Sequence, residues 1–121
     1  MKLKAINERF SICKVNSLND VCLSSKFLFI GKTDNELSVV CPVCDAPKNA
    51  VSRKDGFKAF RIEGTLDFSL IGIISKISAI LAENKIGVFV VSTFDTDYVL
   101  TDESCFENAL SVLEKSGYEL C

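Results

Sequence analysis

In the second half of the chain, the spacing of hydrophobic residues alternates between that of a β-strand and that of an α-helix. The resulting order of strands and helices is the sequence feature that most restricts the fold. Residues 56–64 alternate polar and apolar side chains, as a half-buried strand does. In the next segment the apolar residues fall at helical spacing: Leu70, Ile73, Ile74, Ile77, Ile80 and Leu81. Residues 86–92 are a nearly continuous apolar run, which predicts a central strand covered by helices on one face. After a turn at residues 93–97, residues 98–100 predict the next strand.

A second helix and a short strand complete the series. The helix opens at residues 101–103 and has an apolar face formed by Phe106, Ala109, Leu110 and Leu113. Gly117 stands where a helix commonly ends, and residues 118–120 predict a last strand. The order β-α-β-β-α-β predicts an α+β, ferredoxin-like fold with both helices on one face of an antiparallel sheet.

The first half has strand patterns but no comparable amphipathic helix. The predicted strands are residues 8–15, 26–30 and 36–41. Residues 42–55 contain both prolines and predict a connector. We therefore predict two parts, residues 1–55 and residues 56–121, of which the first is a truncated, strand-rich relative of the second. No convincing internal sequence repeat supports that relationship.

Composition narrows the range of functions. The 121 residues carry a net charge of −2 without a lysine or arginine block, so nothing in them attracts nucleic acid or an anionic membrane. No apolar run approaches the roughly 18 residues of a transmembrane helix, and the N-terminus lacks a signal-peptide core, which predicts a cytoplasmic protein. Histidine is absent, which removes the commonest general base and metal ligand and disfavours an enzyme. Carboxylate, lysine and thiolate chemistry remain open.

Three segments carry a resemblance to a known family. They are residues 32–41, KTDNELSVVC, residues 62–74, IEGTLDFSLIGII, and residues 86–100, IGVFVVSTFDTDYVL. In this order they resemble a family of small bacterial tandem ACT-domain proteins. They are also similar to the ACT domains of aspartate kinase regulatory regions and of the arginine sensors called CASTOR. The resemblance extends from about residue 27 to the C-terminus and is weak over residues 42–55.

The resemblance implies a binding site for an amino acid where two ACT units meet. The ligand-facing loop of the family corresponds to Asp67, Phe68, Ser69, Leu70, Ile71 and Gly72. Its second contact corresponds to Ser92, Thr93, Phe94 and Asp97, and a strand of the first half contributes Ser38 and Val39. The resemblance further implies a homodimer that acts on a regulated partner protein, and it implies no cofactor.

The residues alone agree with such a site. A helix that begins near Ser69 would present free backbone N–H groups and the positive end of its dipole to a carboxylate. Gly72 lets a ligand or a strand approach closely, Asp95 or Asp97 can accept an ammonium group, and Phe94 can form a wall.

Simpler interpretations of the same residues stay open at this stage. Asp67 and Ser69 also suit helix capping, and Gly72 also suits packing of the helix on the sheet. Residues 93–97 also suit a polar turn without a binding role.

The cysteines raise a separate hypothesis. Cys41 and Cys44 form a CxxC pair, with Cys13 and Cys22 upstream, so zinc binding and redox chemistry are both conceivable. A second CxxC is missing, and Cys41 ends a hydrophobic strand, so we favour thiols without a special role.

Three functions therefore compete. The leading hypothesis is a non-catalytic sensor or regulatory protein that binds an amino acid. The alternatives are a structural interaction module with a vestigial pocket, and a small zinc or thiol protein that uses Cys41 and Cys44.

Overall fold

The computed structural model describes residues 1–64 and 71–121. This part of the chain contains eight strands: β1 Lys2–Ala5, β2 Phe10–Val15, β3 Phe29–Lys32, β4 Leu37–Pro42, β5 Ser52–Ile62, β6 Phe89–Ser92, β7 Asp97–Asp102 and β8 Glu119–Leu120. It also contains two α-helices, α1 Ile73–Glu83 and α2 Glu103–Lys115, and short 3-10 helices at Leu18–Asp20 and Val43–Asp45. Neither α-helix in these ranges is long and apolar enough to be a membrane span.

The chain forms two compact units. The N-terminal unit is Glu8–Phe57, and the C-terminal unit combines Met1–Asn7 with Lys58–Cys121. Strand β5 is divided between the two units: its first six residues belong to the N-terminal unit and its last five to the C-terminal unit. The sequence-based boundary after residue 55 lies close to this division, but β1 joins the C-terminal unit instead of the first part of the chain.

The C-terminal unit has the predicted β-α-β-β-α-β order in β5, α1, β6, β7, α2 and β8. Its strands are arranged as β6-β7-β5-β1-β8. Strand β1 runs antiparallel to β5, with Leu3 opposite Ile62, and parallel to β8, with Leu3 opposite Leu120. The sequence analysis missed β1, since only Leu3 of its four side chains is buried and so short a strand shows no clear alternation.

Both α-helices cover one face of this sheet. Their buried residues and those of the strands form one apolar cluster: Leu3, Phe60, Ile62, Ile77, Leu81, Ile86, Val99, Phe106, Ala109 and Leu113. The ring centroids of Phe60 and Phe106 lie 6.4 Å apart. Each large side chain in the cluster contributes roughly 1.5–3 kcal/mol through burial, which holds the helices on the sheet.

The N-terminal unit has the same topology without α-helices. Its strands are arranged as β3-β4-β2-β5, and the two 3-10 helices stand in the chain where the C-terminal unit has α1 and α2. The core beneath them is smaller and consists of Cys13, Val15, Val21, Val39 and Cys41. The structure thus agrees with the predicted truncated relative.

Three predicted elements differ in the structure. In the described residues β6 pairs only with β7, so the apolar run at residues 86–92 ends in an outer strand and the prediction of a central strand was wrong. Helix α1 begins at Ile73, later than the start near Ser69 that the spacing suggested. Strand β5 begins at Ser52, inside the predicted connector.

Candidate functional site

The predicted site residues fall into three groups in the structure. Asp67, Phe68, Ser69 and Leu70 lie outside the described residues. Ile71 and Gly72 precede α1, while Ser92, Thr93, Phe94 and Asp97 lie at the turn between β6 and β7. Ser38 and Val39 lie on β4 of the N-terminal unit.

A polar pair closes the β6–β7 hairpin next to its turn. Ser92 and Asp97 are opposite each other in the strand register, and Ser92 Oγ donates a hydrogen bond of 2.5 Å to Asp97 Oδ1. Ser92 is exposed and Asp97 is half-buried. The second carboxylate oxygen of Asp97 leaves capacity for a further donor, and Asp97 therefore suits an ammonium group.

The turn itself is held by its two threonines. Thr93 N donates to Thr96 O at 2.8 Å, and Thr93 Oγ1 accepts from Thr96 N at 3.3 Å. Phe94, at the tip, is 80% exposed.

Thr96 ties the turn to the end of β5. Its side chain is 9% exposed, and its Oγ1 donates to the backbone oxygen of Ile62 at 2.7 Å. Ile62 is the last residue of β5, from which the chain runs on toward α1. This contact brings the hairpin turn to the end of β5, the strand that precedes the predicted ligand-facing loop in the chain. Sequence reasoning named Thr96 as a turn residue only, since a hydroxyl in a polar turn gives no sign of its acceptor.

Among the described residues, the start of α1 lacks the side-chain cap that the start of α2 has. Gly72 is the N-cap of α1, has a left-handed backbone (φ 81°) and provides no side-chain cap, and the first turn contains no acidic residue. In α2, by contrast, Asp102 Oδ1 accepts from Ser104 N at 2.9 Å, and Glu103 lies in the first turn. The positive end of the α1 dipole thus has no acidic side chain in its first turn and suits an anion.

Gly72 is needed for its backbone conformation rather than for close packing. A Cβ atom built there meets nothing within 4 Å, whereas a left-handed φ is strained for other residues. The structure therefore does not support the interpretation that Gly72 serves tight packing of helix on sheet.

A cavity of about 530 Å³ opens beside Gly72 in the C-terminal unit. It lies between the first half of α1 and the loop after α2. Its described lining residues are Met1, Ile71, Gly72, Ile73, Lys76, Ala79, Ile80, Ser116, Gly117 and Tyr118. Two residues of the predicted loop, Ile71 and Gly72, thus border a space large enough for part of a small ligand.

The two predicted residues of the N-terminal unit differ in accessibility. Val39 is 1% exposed and belongs to the core of that unit, which directs its side chain away from solvent. Ser38 is half-buried, and its Oγ donates to Glu36 Oε1 at 2.5 Å.

The β3–β4 hairpin repeats the geometry of the β6–β7 hairpin. Thr33 N donates to Glu36 O at 2.9 Å and Thr33 Oγ1 accepts from Glu36 N at 3.1 Å, as Thr93 and Thr96 do. The sequence analysis did not detect this internal repeat, because the repeat consists mainly of one shared threonine and of backbone hydrogen bonds.

The repeat does not extend to the polar pair. Lys32 and Leu37 are opposite each other where the second hairpin has Ser92 and Asp97. Only the C-terminal hairpin therefore offers a carboxylate at this position, which concentrates the candidate site in the C-terminal unit.

The cysteine alternative gains no support from the geometry. Burial, together with the neighbouring Cys13, Asp45 and Cys22, raises the pKa of Cys41 from 9.0 to about 11, although Arg53 opposes them. A thiol held in its neutral form is a poor nucleophile and a poor zinc ligand. Across residues 1–64 and 71–121, no three histidine, cysteine, aspartate or glutamate side chains are grouped to hold a metal ion.

Comparisons with known proteins agree with this architecture. A family model described as an ACT domain matches residues 52–115. A solved protein of Agobacterium tumefaciens is 31% identical, with a TM-score of 0.86 over 99% of this chain and 91% of that one. A search of curated protein sequences finds no match.

Two more distant structures share the fold. A Vibrio cholerae protein of unknown function, described as a possible transport protein, is 19% identical, with a TM-score of 0.74 over 94% of this chain and 88% of that one. The aspartate kinase of Clostridium acetobutylicum, described as an allosteric enzyme, is 15% identical, with a TM-score of 0.64 over 93% of this chain and 32% of the enzyme.

The Thr96 contact can be tested through stability. Thr96→Val removes the donor and leaves the Ile62 oxygen without it, so we expect the free energy of unfolding to fall by about 1–3 kcal/mol. Thr96→Ser keeps the hydroxyl and should cost clearly less. Urea unfolding monitored by circular dichroism measures both, and equal losses in the two variants would contradict the anchoring role.

The Cys41 environment predicts a pH dependence. In the unfolded chain the thiol ionises near its ordinary pKa of 9.0, whereas in the folded protein it stays protonated to about pH 11. Unfolding therefore releases a proton between these values, and stability falls as the pH rises through that window. Between pH 8 and 11 the wild type should lose about 2 kcal/mol more unfolding free energy than Cys41→Ala.

The control for this measurement is Cys44→Ala, because Cys44 is exposed. Its pH profile in urea unfolding should follow that of the wild type. Parallel profiles for the wild type and Cys41→Ala would show that the Cys41 thiol is not buried as described.

Proposed function

Because the chain belongs to the ACT-domain family, we propose that it is a non-catalytic regulatory protein that binds an amino acid at one edge of its C-terminal unit. The family supports a regulatory, small-molecule-binding role, and a related arrangement occurs in an aspartate kinase described as allosteric. This chain corresponds to 32% of that enzyme, and we propose that it regulates a partner protein.

The hydrogen bond from Thr96 to Ile62 O carries the proposal. It brings the hairpin turn, with the Ser92–Asp97 pair beside it, to the strand end from which the chain leads to Gly72. A free amino acid needs an anion site and a cation site within a few ångströms of each other. We propose that the start of α1 binds the carboxylate and that Asp97 binds the ammonium group. Each charged contact would be worth roughly 1.5–3 kcal/mol.

The remaining predicted residues enter the proposal in different ways. Asp67, Phe68, Ser69 and Leu70 lead into Ile71 and Gly72, and we keep them as the loop that faces the ligand. Thr93 shapes the turn and Phe94 offers an exposed ring near the ligand. Ser38 and Val39 stay predictions that rest on the resemblance, and the side chain of Val39 is buried.

Absence of catalysis and a cytoplasmic setting belong to the same proposal. The sequence contains no histidine, the usual base for a serine or cysteine nucleophile. All six cysteines are free, as expected in a reducing compartment. The alternative, a vestigial pocket, predicts that no amino acid binds in the thermal-shift screen.

A second copy of the chain is the partner that the C-terminal unit favours. Strand β6 is an outer strand in the described sheet, and Val88, Phe89 and Val90 beside or within it are 36–38% exposed. The other outer strands carry a charge, Lys32 in β3 and Glu119 in β8, whereas β6 carries none. An uncharged, apolar strand edge is open to pairing with another strand, and we propose a homodimer through β6.

Ligand binding is tested by a thermal-shift screen of the full chain against the twenty amino acids. At a concentration a hundred times its Kd, the cognate amino acid should add about 2.7 kcal/mol to the unfolding free energy. Asp97→Ala should abolish the shift, and Asp34→Ala in the corresponding turn of the first hairpin should keep it. If no amino acid at millimolar concentration raises the melting temperature, the pocket is vestigial and the proposal fails.

The dimer is tested by size-exclusion chromatography with light scattering. Val90→Lys places a charge on the β6 edge and should convert the dimer to a monomer. Ile30→Lys, the corresponding position on β3, is the matched control and should remain dimeric. A monomeric wild type, or dissociation by Ile30→Lys alone, would contradict pairing through β6.

A further inference from the structure

The cavity beside Gly72 indicates what kind of side chain a ligand would have, which the hairpin does not. Its volume of about 530 Å³ lies within the range of small-molecule sites, roughly 300–1,000 Å³. Gly72 lines it and is also the N-cap of α1, where the proposed site holds a carboxylate. A ligand anchored by its carboxylate at that helix end therefore has this space next to its α-carbon.

The walls of the cavity are mostly apolar. The described residues that contribute apolar side chains are Met1, Ile71, Ile73, Ala79, Ile80 and Tyr118. Ile71 is 89% exposed, an unusual state for an isoleucine and one that a ligand bound in the cavity would relieve. The surface offers contact area to an aliphatic or aromatic group and few polar partners.

The charge in the cavity has one sign. Among its described lining residues Lys76 alone has a charged side chain, and none is acidic. Lys76 lies in α1 one turn after Gly72, whose backbone oxygen accepts from Lys76 N at 3.0 Å. Its ammonium group complements the carboxylate of a ligand and opposes a cationic side chain.

We propose that the ligand is an amino acid with an uncharged, apolar side chain, branched aliphatic or aromatic, which fills this cavity. This rests on the proposed function and names its ligand class. A basic side chain would bring a second positive charge beside Lys76, and none of the described lining residues is acidic. An acidic side chain would place two carboxylates beside one lysine in apolar surroundings, which desolvates charge without full compensation.

The matching experiment is isothermal titration of the full chain with leucine, isoleucine, phenylalanine, alanine, glutamate and arginine. Loss of a few methyl and methylene groups from a ligand in an apolar pocket costs roughly tenfold or more in affinity. We therefore expect at least one of the first three to bind roughly ten times more tightly than alanine. Arginine and glutamate should bind more weakly than alanine.

Two substitutions in α1 test whether the side chain of the ligand binds in the cavity. Ala79→Leu fills the cavity from an exposed position and should weaken binding of the preferred ligand roughly tenfold or more. Ala82→Leu changes an exposed alanine of the same helix outside the described cavity lining and should leave affinity unchanged. The melting temperature of each unliganded variant reports whether its fold is intact.

The possible results test the ligand class, the location of its side chain and the proposed function separately. Tightest binding of arginine or glutamate would overturn the apolar ligand class and leave the proposed function standing. A preference for an apolar ligand that Ala79→Leu does not weaken would overturn its location in the cavity. No binding by any amino acid would overturn the proposed function and this inference together.

Discussion

Ile62 connects the hydrophobic core of the C-terminal unit to its candidate site. Its side chain is fully buried in the cluster that both α-helices cover, and its backbone oxygen accepts the hydroxyl of Thr96. The same residue thus fixes the end of β5 in the core and holds the turn that follows β6. Because buried packing tolerates little displacement, the geometry at this edge depends on the core beneath it.

The two units illustrate how one topology supports different chemistry. Both close a hairpin with a threonine turn, and their strand orders correspond except that β1 lies between β5 and β8 in the C-terminal unit. The C-terminal unit has two α-helices and a serine–aspartate pair, whereas the N-terminal unit has two 3-10 helices and a lysine–leucine pair. A three-residue 3-10 helix has little dipole and few free N–H groups, so it suits an anion less well than the start of an α-helix does. Function in this fold follows from such local differences and not from the topology itself.

Several secondary-structure elements could be predicted from the sequence, and particular physical effects explain why other features could not. The apolar spacing of Ile73, Ile77 and Leu81 predicted α1, since all three side chains face the sheet. The run at residues 86–92 was assigned to a central strand, because a short apolar segment looks the same in a covered strand and in an exposed edge. Sequence named Gly72 and Asp97 as site residues. It missed Thr96, whose acceptor lies 34 residues away on another strand.

The sequence by itself determined the β-α-β-β-α-β order, because hydrophobic period is a local property that each segment carries. It also determined that one hairpin has an aspartate beside its turn and the other does not. Only the tertiary structure decided that β6 is an outer strand and that β1 lies between β5 and β8. It alone decided that α1 starts at an uncapped glycine next to an apolar cavity. These features depend on pairing and packing between segments far apart in the chain, and no local pattern of residues encodes them.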